Sequence, residues 1–423
     1  MPKPGLAAAT SLVIASMIGT GVFTSLGFQL VTLQSAPQIL LLWAVGGIVA
    51  LCGALCYSAV AKAYPRSGGE HHFLSELFHP ALGFMAGLLS AITGFAVPTA
   101  LTALALSNYL HVAFPALPVT PTALAVILLG TLAHSISSTT SARVQLASTC
   151  LKLLLILGFI AAALSFPGKG DIRWTPDFST DFTAIGTPAF AVSLYYVFYS
   201  YSGWNAAIYG LEEWDRPTRT VRLALIVGTL GVTLLYLALN ASFLRAAPVE
   251  ALQGRLEIGA ISAQHLFGDR AGQVISALFA AGLFASVSAL LWAGPRVLAA
   301  MADHLPTLGF LTLHGTAPRL PLWLQASLAA VLALLSSFRE LVLYTQTGLT
   351  LCTLLVAAGV LRLPGPKPVV PAGIFLAFTS FVIVRSIVDQ PWEVSAGLAT
   401  ALACAFLGLF LTRSPSHSST SSS

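Results

Sequence analysis

Long apolar stretches, interrupted by short polar segments, dominate the pattern of the chain. Two of these stretches, Pro4–Ala61 and the interior of Glu76–Arg143, contain no Asp, Glu, Lys or Arg. A helix needs about 20 residues to cross the apolar core of a bilayer. Each stretch is therefore long enough for two spans, and polar residues near Gln34–Gln38 and Asn108–Pro121 mark the breaks between them.

Eight further apolar segments lie beyond these two stretches, which brings the predicted number of membrane-spanning helices to twelve. They lie at about 143–166, 184–210, 222–244, 272–295, 321–338, 341–361, 369–387 and 394–412. The predicted fold is therefore an all-α integral membrane protein with a single transmembrane domain over residues 1–413. The Ser-rich residues 414–423 are expected to form a disordered cytoplasmic tail.

Composition supports this interpretation and excludes several classes of function. The 423 residues are 56% hydrophobic and only 8% charged, with a mean hydropathy of +0.85. Roughly a quarter of the residues of a soluble domain are charged. A water-soluble enzyme and a nucleic-acid-binding protein are thereby excluded. The five cysteines lie in apolar stretches without metal-site spacing, so no metal, cofactor or disulfide framework is predicted.

The distribution of basic residues predicts the orientation of the chain. With the N-terminus in the cytoplasm, twelve of the 20 Lys and Arg residues fall in inside loops and seven in outside loops, and Lys152 lies within a span. Because positively charged loops stay on the cytoplasmic side, we expect both termini to be cytoplasmic and the protein to lie in the inner (plasma) membrane. The first apolar tract is too long for a signal peptide and lacks a clear cleavage site.

Two of the predicted helices contain residues that weaken a helix at mid-span. The first helix contains Met17–Phe23, in which two glycines flank Thr20, and each glycine costs a helix about 1 kcal/mol relative to alanine. The sixth helix contains the small and polar residues of Tyr199–Asn205. If the first ten helices form two five-helix repeats, at about 6–166 and 184–361, the two breaks are equivalent, which is typical of a transporter binding site. The alternative is close helix packing through small residues.

The interrupted helices would expose peptide groups of both polarities. The half-helix that begins near Thr20 presents unpaired N–H groups and a positive dipole end, which suit a carboxylate. The half-helix that ends near Met17–Ile18 and the stretch Tyr199–Ser202 present carbonyl oxygens, which suit an ammonium group. This combination predicts a site for the α-carboxylate and α-amino groups of an amino acid.

Several motifs together resemble the amino acid–polyamine–organocation (APC) family of transporters, nearest its branch of L-type and bacterial neutral amino acid exchangers. They occur in the family's order from helix one to helix eight: Gly19–Phe23, which resembles Gly-Ser-Gly-Ile-Phe; Tyr64–Glu70 with Gly83 and Phe84; Ser202–Asn205 with Glu212, Glu213, Arg216 and Pro217; and Gly294–Val297 with Ala300–Ala302. The sequence departs from the family in three places. Thr20 replaces a serine, the proline that often follows the glycine motif is absent, and Asp303–Leu305 replaces Arg-Asp-Gly. The first two changes bear on substrate range more than on fold.

The resemblance implies that helices 1–5 and 6–10 are inverted repeats, with helices 11 and 12 peripheral. It also implies that backbone N–H groups of Thr20 and Gly21 bind the substrate carboxylate. Carbonyl groups of Met17, Tyr199 and Ser202 would bind the amino group. The complete set of substrate-binding candidates is Met17, Ile18, Thr20, Gly21, Val22, Tyr199, Ser202 and Gly203, and the gate candidates are Tyr199 and Trp204.

Lys152 is the one charged residue predicted near the bilayer centre. It lies nine residues beyond Arg143, about 13 Å along a helix, and a charge at this depth costs about 3 kcal/mol on insertion scales. A lysine that snorkels to the surface is the alternative. In sodium-independent members of the APC family, a lysine on helix five takes the place of a sodium ion, and Lys152 resembles it. Its ammonium would reach carbonyls near Met17–Gly19 and the hydroxyl of Ser286, which makes Lys152, Gly19 and Ser286 the coupling candidates, either as a fixed charge or with Lys152 as a proton carrier.

Two clusters of charged residues have competing interpretations. The first, in the loop after helix two, comprises Glu70, His71, His72, Glu76 and His79. A solvated cytoplasmic segment is favoured there over a metal site. The second, Glu212 and Glu213, looks like a catalytic carboxylate pair, but three arginines lie close by at 216, 219 and 222. A gate network at the cytoplasmic end of helix six is therefore favoured.

These observations predict a sodium-independent amino acid permease that works by alternating access, through exchange or proton coupling. Small or medium neutral amino acids are favoured because the central helices offer no carboxylate for a cationic side chain. The alternatives are a permease for cationic amino acids or polyamines and a transport-dead amino acid sensor. An intramembrane enzyme is disfavoured because no nucleophile or metal set occurs. The loop at 108–121 contains no cysteine, so no disulfide-linked ancillary subunit is expected.

Overall fold

The structure is a computed structural model that describes residues 3–136, 142–302, 309 and 319–411, with backbone only at 142–148, 300 and 302. The predicted tail at 414–423 and the family departure at Asp303–Leu305 lie outside the described residues. Within them the chain is almost wholly helical. The α-helices, in chain order from α1 to α18, are Leu6–Met17, Gly21–Gln29, Ala36–Ala63, Gly69–Leu77, Pro80–Leu89, Val97–Ala113, Val119–Ile136, Ala142–Ser165, Phe178–Asp181, Pro188–Tyr201, Pro217–Ala246, Val249–Leu252, Ile258–Phe267, Asp269–Ala302, Arg319–Leu335, Phe338–Gly359, Val369–Asp389 and Pro391–Leu411.

The helices confirm a membrane protein with many spans. Eight continuous helices in the described part of the chain are long and apolar enough to cross a bilayer, and two bent helix pairs pass the same test. Two shorter apolar helices, Thr149–Ser165 and Arg319–Leu335, occupy the places of predicted spans five and nine. Each of the twelve predicted segments therefore contains a helix, and most boundaries agree to within a few residues.

The first predicted break is present where the glycines lie. Helix α1 ends at Met17 and α2 begins at Gly21, with a bend of 41° between them. Ile18 leaves the helical region, with φ −77° and ψ 81°. A side chain at Gly21 would lie 2.5 Å from the Cα of Ser200. Glycine is therefore needed at position 21 for α2 to approach α10.

The second break has a coil on its C-terminal side where a second half-helix was predicted. Helix α10 ends at Tyr201, after which Ser202 is extended and Gly203 adopts φ +99°. The rest of the predicted span at 184–210 contains turns and the 3₁₀ turn Ala206–Ile208, and a further 3₁₀ turn, Leu211–Glu213, lies just beyond it. The sixth segment is therefore half a membrane helix that leads into a compact coil. A separate bend of 74° precedes α10.

Helices that the proposed repeat makes equivalent pack on one another. Helix α2 contacts α10, α3 contacts α11, α6 contacts α14, and α7 contacts α15. These are the first, second, third and fourth spans paired with the sixth, seventh, eighth and ninth. A two-fold relation between the halves would produce such pairs. The repeat and its domain boundaries stay an interpretation that this packing supports.

The packing around both breaks centres on Trp43 of α3, which is fully buried. Its indole N–H donates to Oε1 of Gln29 at 2.9 Å, and its backbone carbonyl accepts the hydroxyl of Tyr201 at 3.1 Å. The ring of Tyr236 meets it edge-on, with centroids 5.4 Å apart. This one side chain ties together α2, α3, α10 and α11.

The two faces of the helical bundle differ in how tightly they are closed. We call the face that carries Lys3, Ser67 and Glu212 the N-terminal face. There, Nζ of Lys3 donates to the carbonyl of Glu212 at 2.7 Å, and the N–H of Asp215 donates to the carbonyl of Pro4 at 3.0 Å. The N-terminus, the loop after α3 and the coil after α10 are thus joined on this face.

Gly203→Ala tests the backbone of the second break. A side chain at Gly203 would lie 2.6 Å from the carbonyl oxygen of Ser16, and φ is +99°. A strained residue of this kind costs about 1–3 kcal/mol, so we expect a lower unfolding temperature in detergent. Gly231→Ala, in α11 with open space around it, is the control and should not destabilise the protein. Equal melting temperatures for the two variants would contradict the described backbone.

Candidate functional site

The first break leaves peptide groups without helical partners inside the bundle. The N–H of Gly19 turns back to the carbonyl of Met17 at 2.8 Å, and the N–H of Phe23 bonds the carbonyl of Thr20 at 3.0 Å. The N–H groups that open a helix have no intrahelical acceptor and carry the positive end of its dipole. A side chain at Gly19 would meet nothing within 4 Å. Open space therefore lies beside Gly19, next to the start of α2.

Helix α10 places its polar side chains directly against this start. The hydroxyl groups of Thr20 and Tyr199 are 2.8 Å apart, and those of Ser25 and Ser200 are 3.1 Å apart. The half-buried Tyr199 therefore lies at the start of α2, next to the N–H groups of Thr20 and Gly21. The structure thus brings together substrate-binding candidates that lie far apart in the sequence, on α2 and α10. Their role in substrate binding stays a prediction.

The carbonyl groups near the break are engaged within the protein to different degrees. The carbonyl of Met17 accepts both the N–H of Gly19 and the hydroxyl of Tyr236, at 2.8 and 2.6 Å. A carbonyl oxygen has two lone pairs, so Met17 is fully occupied in this conformation. The carbonyl of Tyr199 accepts the N–H of Ser202 at 3.1 Å and keeps one lone pair. Of the three predicted ammonium acceptors, Met17 is therefore the one that this conformation does not offer.

Tyr236 was missed by the sequence analysis. Its hydroxyl, at the middle of α11, lies between the carbonyls of Met17 and Ser200, at 2.6 and 3.1 Å. The hydroxyl has one proton, which it donates at the shorter distance to Met17, and it lies in contact with the backbone of both interrupted helices. The only signal in the sequence was a tyrosine in the apolar interior of a span, which by itself is more often a packing residue.

Lys152 is buried and contacts Ser286 and the first break as predicted, through the carbonyl of Ile18 and not that of Gly19, while its coupling role stays a prediction. Its Nζ donates to the hydroxyl of Ser286 at 2.5 Å and lies 3.4 Å from the carbonyl of Ile18. The side chain is 9% exposed and passes beside Gly282 of α14, which excludes a snorkelling lysine. The ammonium therefore links α8, α14 and the broken first helix.

Ser202 and Gly203 turn the chain away from α10. The hydroxyl of Ser202 donates to the carbonyl of Phe198 at 3.1 Å and lies 3.3 Å from Oε1 of Gln346 in α16. Gln346 is a buried polar side chain that the sequence analysis did not single out. It brings the tenth predicted span to the second break.

Trp204 packs against α3. Its ring meets Tyr57 edge-on, with centroids 4.8 Å apart. It also closes against Gly53, where a Cβ would lie 2.9 Å from the indole. Of the two gate candidates, Tyr199 is the one with a hydrogen bond to the start of α2. The gate role of both residues stays a prediction.

Glu70 is buried, so the expectation of a solvated segment is wrong at this position. The side chain is 8% exposed. Its carboxylate accepts from the hydroxyl of Tyr57 at 2.9 Å, the amide of Asn205 at 2.5 Å and the hydroxyl of Tyr209 at 2.6 Å. We call Glu70 and these three donors the Glu70 cluster. It fastens α4 to α3 and to the coil after α10.

The histidines beside Glu70 have structural contacts of their own. Nδ1 of His71 lies 2.8 Å from the carbonyl of Gly83, and Nδ1 of His79 accepts the N–H of Ala81 as a helix cap at 3.1 Å. Desolvation lowers the pKa of His72. No group of three metal-ligating side chains occurs among the described residues.

Glu212 has different partners from the predicted ones. Its Oε2 accepts the backbone N–H of Ser67 at 3.1 Å, and its own N–H donates to the hydroxyl of Ser67 at 3.1 Å. The backbone N–H of Ser67 first, and the Ser67 hydroxyl second, hold the pKa of the Glu212 carboxyl below its usual value. The ion pairs found between described residues are Arg173–Asp181 and Arg255–Glu257. The predicted pairing of Glu212 with the nearby arginines is therefore wrong, and Ser67 closes this face.

A π-helical segment in the third span also escaped the sequence analysis. It covers Ser90–Ala96, between α5 and α6, and Thr93 within it packs against Gly348 of α16. Such segments are rare and occur often at functional sites. Gly94 and Pro98 are a local signal for it, because Pro98 has no N–H to donate to the carbonyl of Gly94. The segment also contacts α14 and α16.

The fold and the broken helices define a class of multi-pass membrane proteins, and comparison with known sequences gives the family. The model of the amino acid permease family matches residues 5–419. The chain is 30% identical to b(0,+)-type amino acid transporter 1 of Mus musculus over 275 residues, which is 63% of this chain and 55% of that protein. It is 26% identical over 440 residues to Asc-type amino acid transporter 1 of Mus musculus, covering 97% and 82% of the two chains. It is also 26% identical over 435 residues to large neutral amino acids transporter small subunit 2 of the same organism, covering 97% and 82%.

The chain therefore belongs to the amino acid permease family. It spans little more than half of the first relative and about four fifths of the other two. The family and these relatives are transporters and not enzymes.

Glu70→Ala tests the closure of the N-terminal face. It leaves two hydroxyl groups and an amide without their acceptor, and each buried unsatisfied group costs about 1–3 kcal/mol. We expect a clearly lower unfolding temperature and faster thiol modification of the buried Cys352, resolved by peptide mass mapping. Glu76→Ala is the matched control because Glu76 is exposed on the same helix. If both variants behave like the wild type, the Glu70 cluster does not close this face.

Proposed function

We propose that this protein is a sodium-independent secondary transporter of small or medium neutral L-amino acids that works by alternating access. The observation that carries the proposal is the start of α2. The N–H groups at this start have no helical acceptor, and they lie beside the hydroxyl groups of Thr20 and Tyr199, which are 2.8 Å apart. Lys152 contacts the carbonyl of Ile18, just before this start.

The substrate would be held mainly by peptide groups. The N–H groups of Thr20, Gly21 and Val22 offer a positive end to the α-carboxylate. The carbonyl of Ser202 and the remaining lone pair of Tyr199 offer acceptors to the α-ammonium group. These contacts recognise only the α-carboxylate and α-ammonium groups, which all amino acids share. Selection among side chains would therefore depend on the residues around the site. Ile18 and Gly203 border this site as backbone, without a polar side chain.

A neutral side chain is supported by the charges near the break. Helices α1, α2, α6 and α10 contain no Asp or Glu within the described residues. A cationic side chain would therefore be desolvated without a counter-charge, which is costly. One relative is named for large neutral amino acids, and that name is consistent with a neutral substrate here.

Sodium independence is supported by the position of Lys152. An ammonium in contact with the carbonyl of Ile18 and the hydroxyl of Ser286 uses the oxygen ligands that a sodium ion would need. The lysine would thereby take the place of a bound ion at the broken helix, either as a fixed charge or as a proton carrier. Transport then depends on exchange or on a proton, and counterflow with and without a pH gradient separates these two mechanisms.

The surroundings of the transporter can be inferred from the same interpretation. The N-terminal face would be cytoplasmic, and the membrane would be the inner (plasma) membrane, because the basic loops lie on that face. The loop between α6 and α7 contains no cysteine. We therefore expect no disulfide-linked ancillary subunit, with lipid and substrate as the partners.

Lys152→Ala tests the coupling role. The variant should insert and fold but lose most of its amino acid uptake in proteoliposomes, because the carbonyl of Ile18 and the hydroxyl of Ser286 lose their shared donor. Lys169→Ala, in the exposed loop after α8, is the control and should transport normally. Uptake by Lys152→Ala at the wild-type rate would remove Lys152 from the mechanism.

A competition assay tests the substrate class. Uptake of radiolabelled alanine or leucine into proteoliposomes should be inhibited by neutral amino acids and little affected by arginine or putrescine, since no carboxylate lines the break. Omitting sodium should leave uptake unchanged. Strong inhibition by arginine or putrescine would favour the cationic permease. Ligand-induced stabilisation without uptake of any amino acid would favour the sensor.

A further inference from the structure

A cavity opens on the face opposite the N-terminal face, beyond the start of α2. Its volume is about 510 Å³, and its lining includes Phe28, Thr32, Ser193, Tyr196, Arg339 and Asp389. Phe28 lies two turns past Thr20 along α2, and Tyr196 lies one turn before Tyr199 along α10. The cavity is therefore separate from the first break and lies on the path from it to this face.

The cavity contains two opposite charges that do not neutralise each other. Arg339 lies at the start of α16 and Asp389 at the end of α17. The two side chains are not within ion-pair distance, since the pairs among the described residues are Arg173–Asp181 and Arg255–Glu257. The guanidinium of Arg339 is within reach of the hydroxyl of Tyr196 in the same lining. A guanidinium and a carboxylate, both exposed, thus line one cavity.

Aromatic rings line the part of the cavity between these charges and α2. The ring of Phe28 stacks on Tyr196 with centroids 5.2 Å apart and planes inclined by 8°. On its other side it stacks on Phe338, at 6.0 Å and 6°. The stack is rigid and apolar, which suits the carbon skeleton of a small ligand.

We propose that this cavity is a second amino acid site, which holds a zwitterion before it reaches, or after it leaves, the central site. Its carboxylate would bind Arg339, its ammonium would bind Asp389, and its side chain would lie on the stack of Phe28 and Tyr196. The volume falls in the range of small-molecule pockets, about 300–1,000 Å³. The inference rests on the proposed function, because a zwitterionic substrate is what makes both charges useful.

The kinetic test uses the sidedness of the cavity. Arg339→Gln, Asp389→Asn and the double variant are reconstituted in proteoliposomes of known orientation, and KM is measured from each side. Each lost charge-assisted contact should raise KM by about tenfold from the side on which the cavity opens, with kcat and the KM from the other side unchanged. Arg270→Gln and Asp269→Asn are matched controls, because both residues are exposed at the start of α14 and away from the cavity. An unchanged KM, or an equal change from both sides, would overturn the proposal.

Equilibrium binding separates the failure of this inference from the failure of the proposed function. Purified wild-type protein should bind two molecules of radiolabelled substrate amino acid per chain, and the double variant should bind one. A wild-type protein that transports amino acids but binds only one per chain would overturn the second site and leave the function intact. A protein that neither binds nor transports any amino acid would overturn both.

Discussion

The break between Met17 and Gly21 is possible only because its peptide groups find partners inside the protein. In a bilayer no water is available to them, and each unsatisfied group costs several kcal/mol. Tyr236 takes the carbonyl of Met17, and Lys152 lies against that of Ile18. Two helices distant in sequence, α8 and α11, therefore hold one interruption open, and the N–H groups of α2 are left for a ligand.

Close approach of the backbones is the second constraint. Gly21 lets α2 approach Ser200 in α10, and Gly203 lets the coil after α10 pass Ser16. Both contacts put backbone polar groups of the two interrupted helices next to each other. A binding site made of peptide groups needs this proximity, because backbone groups cannot reach outwards as side chains do.

The two faces of the bundle are unequally closed: the N-terminal face is joined by hydrogen bonds, and the opposite face contains a cavity. The Glu70 cluster, Ser67 and Lys3 join the N-terminal face through hydrogen bonds to the coil after α10. The opposite face holds the cavity between α2, α10 and α16. The alternating access proposed here would require the first set of contacts to break as the cavity closes. The coil after α10 is suited to this change because it is held by side chains and short turns, not by an α-helical ladder.

The sequence by itself determined the many-span membrane fold, the position of the first break and the family, because hydropathy and glycine motifs are local properties. It also indicated Lys152, since a charge in an apolar helix needs a partner wherever that helix lies. Only the tertiary structure decided that Glu70 is buried, that Trp204 packs on Tyr57 and that Met17 has no free carbonyl lone pair. It also supplied Tyr236 and Gln346. These properties depend on which side chain of a distant helix arrives at each position, and no local pattern of residues specifies that.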